Sequence, residues 1–324
     1  MRWWMIVLLV LLVLVLAVWV ISANSTFLQR EFIRALCSGD AGVKPDDYDA
    51  VLSKIDTLDT DVSYESAFDN GTLDVYAAKG ADALPLIVYA HGGYYVGDDK
   101  ADFAYYCQTL ASKGYVVANI NYQLAPEGQY PTQMLQVNEA IRFLLAHAEE
   151  YRIDPAKIFI GGDSAGAHLS SQMGLYYTNP AFQARIGGEP AIAKEQLRGV
   201  ILHCGYYNIE TLRATGFPMI ADSVWMMTGE KQYEGTEAAN SMNTVAWVTP
   251  EYPPVFIDCG DKDSFLSQAQ EMIAALEAQG VEVMSYLPTT TGFPLMHEFQ
   301  VRLNMAEAQA ALEELAGFLG ERSK

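Results

Sequence analysis

Ser164 is the first residue of this sequence whose surroundings point to chemistry. It lies in segment 162–166, which reads GDSAG and follows a strand-like apolar run at 158–160. Because glycine has no Cβ, Gly162 and Gly166 allow a strand to turn sharply into a helix and to lift the serine hydroxyl above the edge of a sheet. The spacing predicts a nucleophilic serine.

A serine hydroxyl is a poor nucleophile until a base takes its proton. Among the five histidines, His297 is the candidate base, because it lies after the last predicted strand and follows Ser164 in the chain order typical of such a serine. His168, one helical turn beyond Ser164, is expected to brace the turn instead. The other histidines have different predicted places: a helix surface for His147, a strand for His203 and a glycine-rich loop for His91.

The base in turn needs a carboxylate that holds its tautomer and stabilises the imidazolium. Two aspartates follow the predicted strand 255–259, and the carboxyl ends of parallel strands are where such sheets bind ligands. We favour Asp263, which comes just before a predicted helix. Asp261 is the alternative, and the aspartate that is not the acid would be a turn or cap residue.

Acyl transfer also requires backbone amides preorganised around the developing oxyanion. Ala165, directly after the serine, is predicted to donate one of them. Loop 91–94, which reads HGGY, follows the first predicted parallel strand. Its amides at Gly93 and Tyr94 are the expected further donors, and Gly92 would shape the loop. The predicted oxyanion hole therefore comprises Gly92, Gly93, Tyr94 and Ala165.

The alternation of strands and helices from Leu84 onward predicts the scaffold that positions these residues. Strands are expected at 84–90, 115–122, 158–160, 197–204, 255–259 and 282–287, and helices at 98–112, 132–150, 264–279 and 303–319. Continuous apolar runs of this kind indicate a mostly parallel sheet with helices on both faces. Strands at 61–68 and 72–76, around Asn70 and Gly71, predict an antiparallel hairpin before that sheet.

A stretch rich in Met, Tyr and Trp, at about 206–250, separates two of the predicted strands. Because loops of this length usually have a function, we expect an inserted helical cap over the active site. A peripheral insertion is the alternative. The predicted organisation is a transmembrane anchor at 1–24, a membrane-proximal or cap helical segment at 25–58 and a catalytic domain at 59–324.

The N-terminal segment predicts contact with a membrane. Every residue from Trp3 to Ile21 is apolar, and as a helix this run is about 28 Å long, near the thickness of a bilayer core. We expect an uncleaved anchor; a cleaved signal peptide is the alternative, because small residues follow at 23–25. Flanking arginines do not decide the orientation. With only two residues before the span, we expect the N-terminus inside and the domain extracytoplasmic.

Composition excludes several classes of function. The 324 residues are 51% apolar, which is enough for the core of a large α/β domain, and 40 acidic against 20 basic residues give a formal charge of −20. No nucleic-acid partner is expected, because phosphate binding needs clustered Lys and Arg. No pair of the four cysteines has metal or redox spacing. A disulfide involving Cys37 and Cys107 is left open.

Together these motifs resemble the α/β-hydrolase fold, and within it the hormone-sensitive-lipase-like branch of bacterial carboxylesterases. The resemblance covers about 84–299 and rests on HGG at 91–93, YQLAPE at 122–127, YP at 130–131, GDSAG at 162–166, the turn 260–263, and His297 with Phe299. It implies a mostly parallel sheet with a helical cap, a triad of Ser164, Asp263 and His297, and an oxyanion loop at 92–94. It also implies structural support from Glu127 and Asp163.

The sequence departs from this family pattern at two positions. Tyr94 replaces the usual third glycine of the oxyanion loop, and Gln123 replaces a common arginine. Neither change removes a catalytic group, so the departures concern substrate range. The rings of Tyr94 and Tyr95 are expected to narrow the acyl pocket.

The expected function is therefore a serine carboxylesterase for short-chain acyl esters of small molecules, with no metal and no organic cofactor. A serine peptidase or a carbohydrate deacetylase on the same triad is an alternative. A catalytically inactive hydrolase fold that serves as a surface binding module is a third possibility, from another class. The natural substrate, the acyl length and the oligomeric state are left open.

Overall fold

A computed structural model describes residues 3–37, 39, 42–80, 82–289 and 293–324. The strands are β1 (Ile55–Ser63), β2 (Thr72–Ala78), β3 (Leu84–Ala90), β4 (Val116–Ile120), β5 (Ile153–Asp163), β6 (Leu197–His203), β7 (Val255–Asp258) and β8 (Val283–Tyr286). The helices are α1 (Trp3–Ala23), α2 (Thr26–Cys37), α3 (Tyr48–Ser53), α4 (Ala104–Ala111), α5 (Thr132–Ala146), α6 (Ala165–Thr178), α7 (Pro180–Ile186), α8 (Ile220–Thr228), α9 (Glu237–Met242), α10 (Leu266–Ala278) and α11 (Ala306–Arg322).

The strands form one sheet in the order β1-β2-β4-β3-β5-β6-β7-β8. The β1–β2 and β2–β4 pairs are antiparallel, and every following pair is parallel. Parallel pairing brings the carboxyl ends of β3, β5, β6 and β7 to one edge of the sheet. The predicted site residues follow strands that end at this edge.

Both faces of the sheet are covered, as the apolar strand runs predict. On one face, side chains such as Leu86 and Val88 pack with residues of α5, α6 and α10. On the other face, Ile87 and Tyr89 pack with residues of α4 and α11. Because side chains alternate along a strand, an unbroken apolar run serves both cores at once. The mostly parallel sheet with helices on both faces that the motifs predict is therefore confirmed.

The strand predictions hold except at some ends. The first strand covers Ile55–Ser63 rather than 61–68, because the chain turns after Ser63, with left-handed backbone at Glu65 and Asn70. The predicted helix 98–112 begins as the 3₁₀ helix Lys100–Phe103, capped by Asp99, and becomes α-helical only at Ala104. The helices predicted at 132–150 and 303–319 are Thr132–Ala146 and Ala306–Arg322.

The N-terminal helices meet the domain beside the cap. α1 has 21 residues and a mean hydropathy of 3.3, and none of its apolar window is buried. Among the described residues it is the helix long and apolar enough to cross a membrane. α2 follows after two residues and packs against α8. Stretch 206–250 is helical in part, through α8, α9 and the 3₁₀ helices Leu212–Thr215 and Thr244–Ala246.

Candidate active site

Ser164 occupies a strained turn between β5 and α6. Its backbone has φ 50° and ψ −113°, a region that residues with a Cβ rarely adopt. A Cβ at either Gly162 or Gly166 would overlap the Ala90 carbonyl of β3. Close backbone packing therefore requires glycine at both positions. This is the steric explanation for the spacing of the two glycines around Ser164. The Ser164 amide donates to the His203 carbonyl of the neighbouring strand at 2.8 Å.

Ser164, His297 and Asp263 form one hydrogen-bonded chain. His297 Nε2 lies 2.9 Å from Ser164 Oγ, and His297 Nδ1 lies 2.8 Å from Asp263 Oδ2. The other Asp263 oxygen, Oδ1, accepts the Phe265 amide at 2.8 Å, which fixes the carboxylate. Nδ1 can donate its hydrogen to the carboxylate, which leaves Nε2 able to accept the serine proton.

The structure separates the two candidate acids. Asp261 Oδ1 accepts the Leu295 amide at 2.9 Å and so holds the loop that leads to His297. Asp263, two residues later, faces the imidazole. The alternative of Asp261 as the acid does not fit this geometry, whereas its turn role does.

The loop after β3 turns its carbonyls into the protein. The Gly92 carbonyl accepts from Tyr122 Oη at 3.1 Å and lies 3.0 Å from His91 Nδ1. The Gly93 carbonyl accepts the amides of Val96 and Gly97. In a trans peptide the carbonyl and the following amide point in opposite directions. The amides of Gly93 and Tyr94 are therefore turned away from these inner contacts.

These amides belong to residues around the catalytic cavity. Gly93 and Tyr94 line it together with Ser164, and Ala165 is the first residue of α6, whose amide has no partner within the helix. Gly92 has a different position: a Cβ there would overlap the Asp163 carboxylate and lie 3.0 Å from Glu298 Oε1. Gly92 thus allows close packing beneath the loop. The other three predicted residues, Gly93, Tyr94 and Ala165, offer backbone amides as donors.

His168 braces the site, as predicted, and does not contact Ser164 Oγ. Its Nε2 lies 2.8 Å from the Met242 carbonyl in the cap, and its Nδ1 lies 2.8 Å from Tyr95 Oη. Burial lowers the pKa of His168 to about 4, so the ring is neutral. It therefore connects α6 to Tyr95 and to the cap without carrying charge.

The cavity beside Ser164 has a volume of about 260 Å³. It is lined by Leu36, Cys37, Gly39, Gly93, Tyr94, Asp98, Ser164, Phe217, His297, Glu298 and Arg302. The cap supplies Phe217, whose ring centre is 4.8 Å from that of His297. The prediction that the cap lies over the site is thus supported by Phe217. Tyr94 lines the cavity as expected, but Tyr95 is buried and directed to His168, so its expected role in narrowing the pocket is wrong.

Sequence reasoning missed the carboxyl groups of Asp98 and Glu298, which line the cavity. Burial, followed by the charges of Glu298 and Asp102, raises the pKa of Asp98 to about 8. Burial and Glu298 likewise raise the pKa of Asp163 well above its usual range, although Tyr89 Oη donates to its Oδ1 at 2.9 Å. Glu298 follows the predicted base directly, and this position was the available signal. No sequence signal pointed to Asp98, because a left-handed backbone conformation at this residue places it at the cavity.

His297 itself is under opposing influences. Burial is the largest and would lower the pKa of its imidazole, but the charge and hydrogen bond of Asp263, with the charge of Glu298, together raise it above 6.5. Glu298 Oε1 lies 3.7 Å from Nε2. The carboxylates thus favour the imidazolium, the form that a general base adopts after it has taken a proton.

The described residues offer one cluster of possible metal ligands near the site. Ligand atoms of Cys204, Asp263 and His297 lie within 4.8 Å of one another. Asp263 and His297 already bind each other, and burial raises the pKa of the Cys204 thiol well above its usual range, which disfavours the thiolate. The geometry fits a hydrogen-bonded triad better than a metal centre.

Residues flanking the site have structural contacts. Glu127 lies 2.6 Å from Arg30 and 3.0 Å from Arg34 of α2, so it holds the N-terminal helix against the domain. Asp163 is buried beneath the oxyanion loop. All four cysteines are unpaired, which answers the open question about Cys37 and Cys107.

The chain was compared with known proteins. A family model described as BD-FAE matches residues 73–276. The probable carboxylic ester hydrolase LipM of Mycobacterium tuberculosis is 27% identical over 272 residues, which are 81% of this chain and 61% of LipM. Esterase LipQ of the same organism is 26% identical over 271 residues, 81% of this chain and 62% of LipQ. The chain thus spans about three fifths of the length of these relatives.

Among solved structures, Esterase B from Lactobacillus rhamnosis, in its form with a C4-C4 SN3 tributyrin phosphonate, superposes with a TM-score of 0.75 at 23% identity. The match covers 96% of this chain and 95% of that one. The two proteins therefore share a fold from end to end.

Proposed function

The chain belongs to the BD-FAE family of α/β-hydrolase fold proteins, and from this membership we propose that it is a serine carboxylesterase that hydrolyses short-chain acyl esters. The observation that carries the proposal is the continuous chain from Asp263 through His297 to Ser164, with spacings of 2.8 and 2.9 Å. A base within hydrogen-bond reach of a nucleophile and oriented by a third group is the pattern of nucleophilic catalysis.

The reaction begins when Ser164 Oγ attacks the ester carbonyl carbon and His297 Nε2 takes the hydroxyl proton. The negative oxygen of the tetrahedral intermediate accepts hydrogen bonds from the amides of Gly93, Tyr94 and Ala165. Cleavage of the carbon–oxygen bond releases the alcohol, which receives the proton from His297. A water molecule then attacks the acyl-enzyme, gives its proton to His297 and releases the carboxylic acid, so one ester and one water yield one alcohol and one acid.

Short acyl groups are proposed because the cavity is small and Tyr94 narrows it. Tyr94 packs against Phe217 of the cap with ring centres 5.4 Å apart, so two rings from different parts of the chain close one side. The relatives named as esterases support ester hydrolysis, and the C4-C4 tributyrin phosphonate named with Esterase B supports the choice of short acyl groups.

Turnover of p-nitrophenyl acetate and butyrate by the detergent-solubilised full chain tests the proposal, together with labelling by a fluorophosphonate probe. We expect turnover of both esters and a single labelled site at Ser164. Turnover of peptides or acetylated sugars in preference to these esters would favour the alternative hydrolases. Absence of both turnover and labelling would favour an inactive binding module.

We further propose that α1 is an uncleaved membrane anchor and that the catalytic domain lies outside the cytoplasm. Residues Trp3 to Ile21 of α1 are all apolar, and Lys231 of the cap donates to the Ala23 carbonyl at the end of the helix, which fixes the helix end against the domain. The mass of the protein extracted from membranes tests this proposal, because cleavage after 23–25 would remove the helix. Protease protection in sealed vesicles tests the orientation.

A further inference from the structure

The outward face of α2 is apolar. Its exposed residues are Phe27, Leu28, Glu31, Phe32, Ala35 and Leu36, which recur at helical spacing. Phe27, Phe32 and Leu36 are more than half exposed, at 58%, 55% and 54%. Arg30 and Arg34, by contrast, lie on the face directed at the domain. A helix on a water-exposed surface has the opposite arrangement, so the outward face of α2 requires an apolar partner.

A second exposed apolar group lies in a groove next to the cavity. Phe293 and Met296, just before the candidate base, are 60% and 57% exposed, and both line a groove that shares His297 with the cavity. Outside α1, the large exposed apolar side chains of the described residues are these two, those of α2, and Leu52. We call Phe27, Leu28, Phe32, Leu36, Phe293 and Met296 the apolar rim. Of the large exposed apolar side chains that the structure describes beyond α1, all but Leu52 lie on α2, whose Leu36 lines the cavity, or in the segment just before His297.

The apolar rim is close to the end of α1. Only Asn24 and Ser25 separate the two helices, so α2 starts within about 10 Å of the last turn of α1. Lys231 of the cap reaches Asn24 Oδ1 at 2.8 Å and the Ala23 carbonyl, which ties the cap to the same point. A bilayer that surrounds α1 therefore ends at the level of α2.

We propose that the apolar rim seats on the surface of this bilayer, so that the catalytic cavity opens onto lipid and takes amphiphilic esters dissolved there. The inference rests on the proposed ester hydrolysis and on α1 as an anchor. Leu36 belongs both to the apolar rim and to the cavity wall, which joins the two surfaces. A cavity of about 260 Å³ holds a short acyl group, and the apolar remainder of the substrate stays in lipid.

Apolar contact, rather than charge, accounts for this attachment. The chain carries a formal charge of −20, which an anionic membrane surface would repel. An interfacial helix needs a buried apolar face, and burial of two phenylalanine side chains supplies several kcal/mol at most. Glu31, the one charged residue on the outward face, is compensated by Arg30 at 2.8 Å.

Lipid photo-crosslinking tests the surface without any need for catalysis. The full chain with Phe32→p-benzoylphenylalanine is reconstituted into dioleoylphosphatidylcholine vesicles and irradiated. The matched control carries the same group at Leu52, which is exposed to 40% on α3, outside the apolar rim. We expect lipid adducts at position 32 and not at 52. Equal labelling at both positions, no lipid adduct at 32, or adducts only to a second copy of the chain would overturn the proposal.

Kinetics on two esters test the entry route. For Phe27→Gln/Phe32→Gln we expect kcat/KM on octadecyl butyrate in these vesicles to fall about tenfold, with less than about a twofold change on water-soluble p-nitrophenyl acetate. Leu52→Gln should change neither. Equal losses on both esters, or none, would contradict lipid entry. If the unchanged chain hydrolyses neither ester, the proposed function fails, while crosslinking still decides the surface.

Discussion

Among the described residues, two His–Asp pairs lie at the same edge of the sheet, one of them beside a cavity and the other fully buried. His297 Nδ1 lies 2.8 Å from Asp263, with Ser164 Oγ at Nε2; His203 Nδ1 lies 2.8 Å from Asp258, with Tyr106 Oη at Nε2, also at 2.8 Å. Each is a carboxylate, an imidazole and a hydroxyl in a row. The side chain of His297 is 20% exposed and that of His203 1%.

The difference lies in access to the hydroxyl, because Ser164 lines a cavity whereas Tyr106 is buried. Burial and the charge of Asp258 raise the pKa of Tyr106 well above its usual range, so its phenol stays protonated. The His203 pair instead supports the other one. The His203 carbonyl accepts the Ser164 amide, and Asp258 accepts Gln300 Nε2 at 2.7 Å, three residues beyond His297. One pair would perform chemistry on a framework that the other stabilises.

Removal of the two hydroxyls should give the largest contrast. Ser164→Ala is expected to lower kcat/KM on p-nitrophenyl butyrate by about 10⁴-fold or more, because no nucleophile remains. Tyr106→Phe should leave activity within about threefold but lower the free energy of unfolding by about 1–2 kcal/mol, since Nε2 of His203 loses its buried partner. Steady-state kinetics and thermal unfolding measure the two effects, and an equal loss of activity in both variants would erase the distinction between the pairs.

Substitution of the two carboxylates should give the second largest contrast in activity. Asp263→Asn is expected to lower kcat by about 10³- to 10⁴-fold, because an amide can hold the His297 ring in the wrong tautomer. Asp258→Asn, the matched change in the other pair, should cost less than about tenfold in kcat and show mainly as a lower Tm. A larger loss of kcat in Asp258→Asn than in Asp263→Asn would contradict the assignment of the chemistry to the pair of His297 and Asp263.

The pH dependence of kcat/KM should report His297. The base must be neutral, so activity is present above its pKa and is lost as the pH falls through it. Because that pKa is raised above 6.5, the acidic limb should lie above pH 6.5. Glu298→Gln removes one of the charges that raise the pKa of His297, so the limb should move to lower pH.

A control with Glu313→Gln, a charge removed at the surface pair with Lys113, should leave the acidic limb in place. A limb that moved upward in Glu298→Gln would mean that another group controls the profile.

The smallest expected effect concerns the contact between the two pairs. Gln300→Leu removes the hydrogen bond to Asp258 and should lower kcat only about two- to fivefold, through less exact placement of the His297 loop. The acidic limb should not move, because Gln300 carries no charge. A loss as large as that of Asp263→Asn would show that the framework and the chemistry are not separable.

Much of this fold is readable in the sequence. The apolar run 84–90 predicts β3 to the residue, whereas the run 158–160 marks only the apolar part of β5, which begins at Ile153. The ends of strands and helices are predicted less accurately, because they depend on contacts with distant residues. Lys100, for example, lies buried 2.7 Å from Asp74, at the start of a predicted helix. Such a contact joins residues far apart in the chain and leaves no local pattern.

The residues of the site likewise fall into those that a local sequence pattern predicts and those that only the structure places there. Ser164 and its glycines form a local steric pattern, and chain order singled out His297. Phe217 and Asp98 reach the cavity through the cap and through backbone geometry, which residue spacing does not encode. The helical spacing of α2 was visible, but which of its faces points outward depends on where Glu127 holds the two arginines.

The strained turn at Ser164 has a consequence for engineering. A residue held at φ 50° costs the folded chain roughly 1–3 kcal/mol, and glycine would relieve that cost at the same moment as it removes the hydroxyl. Under the proposed function, selection for heat resistance alone would therefore enrich inactive variants at this position. A laboratory evolution scheme for this protein has to score turnover and melting temperature in the same round, since at residue 164 the two properties oppose each other.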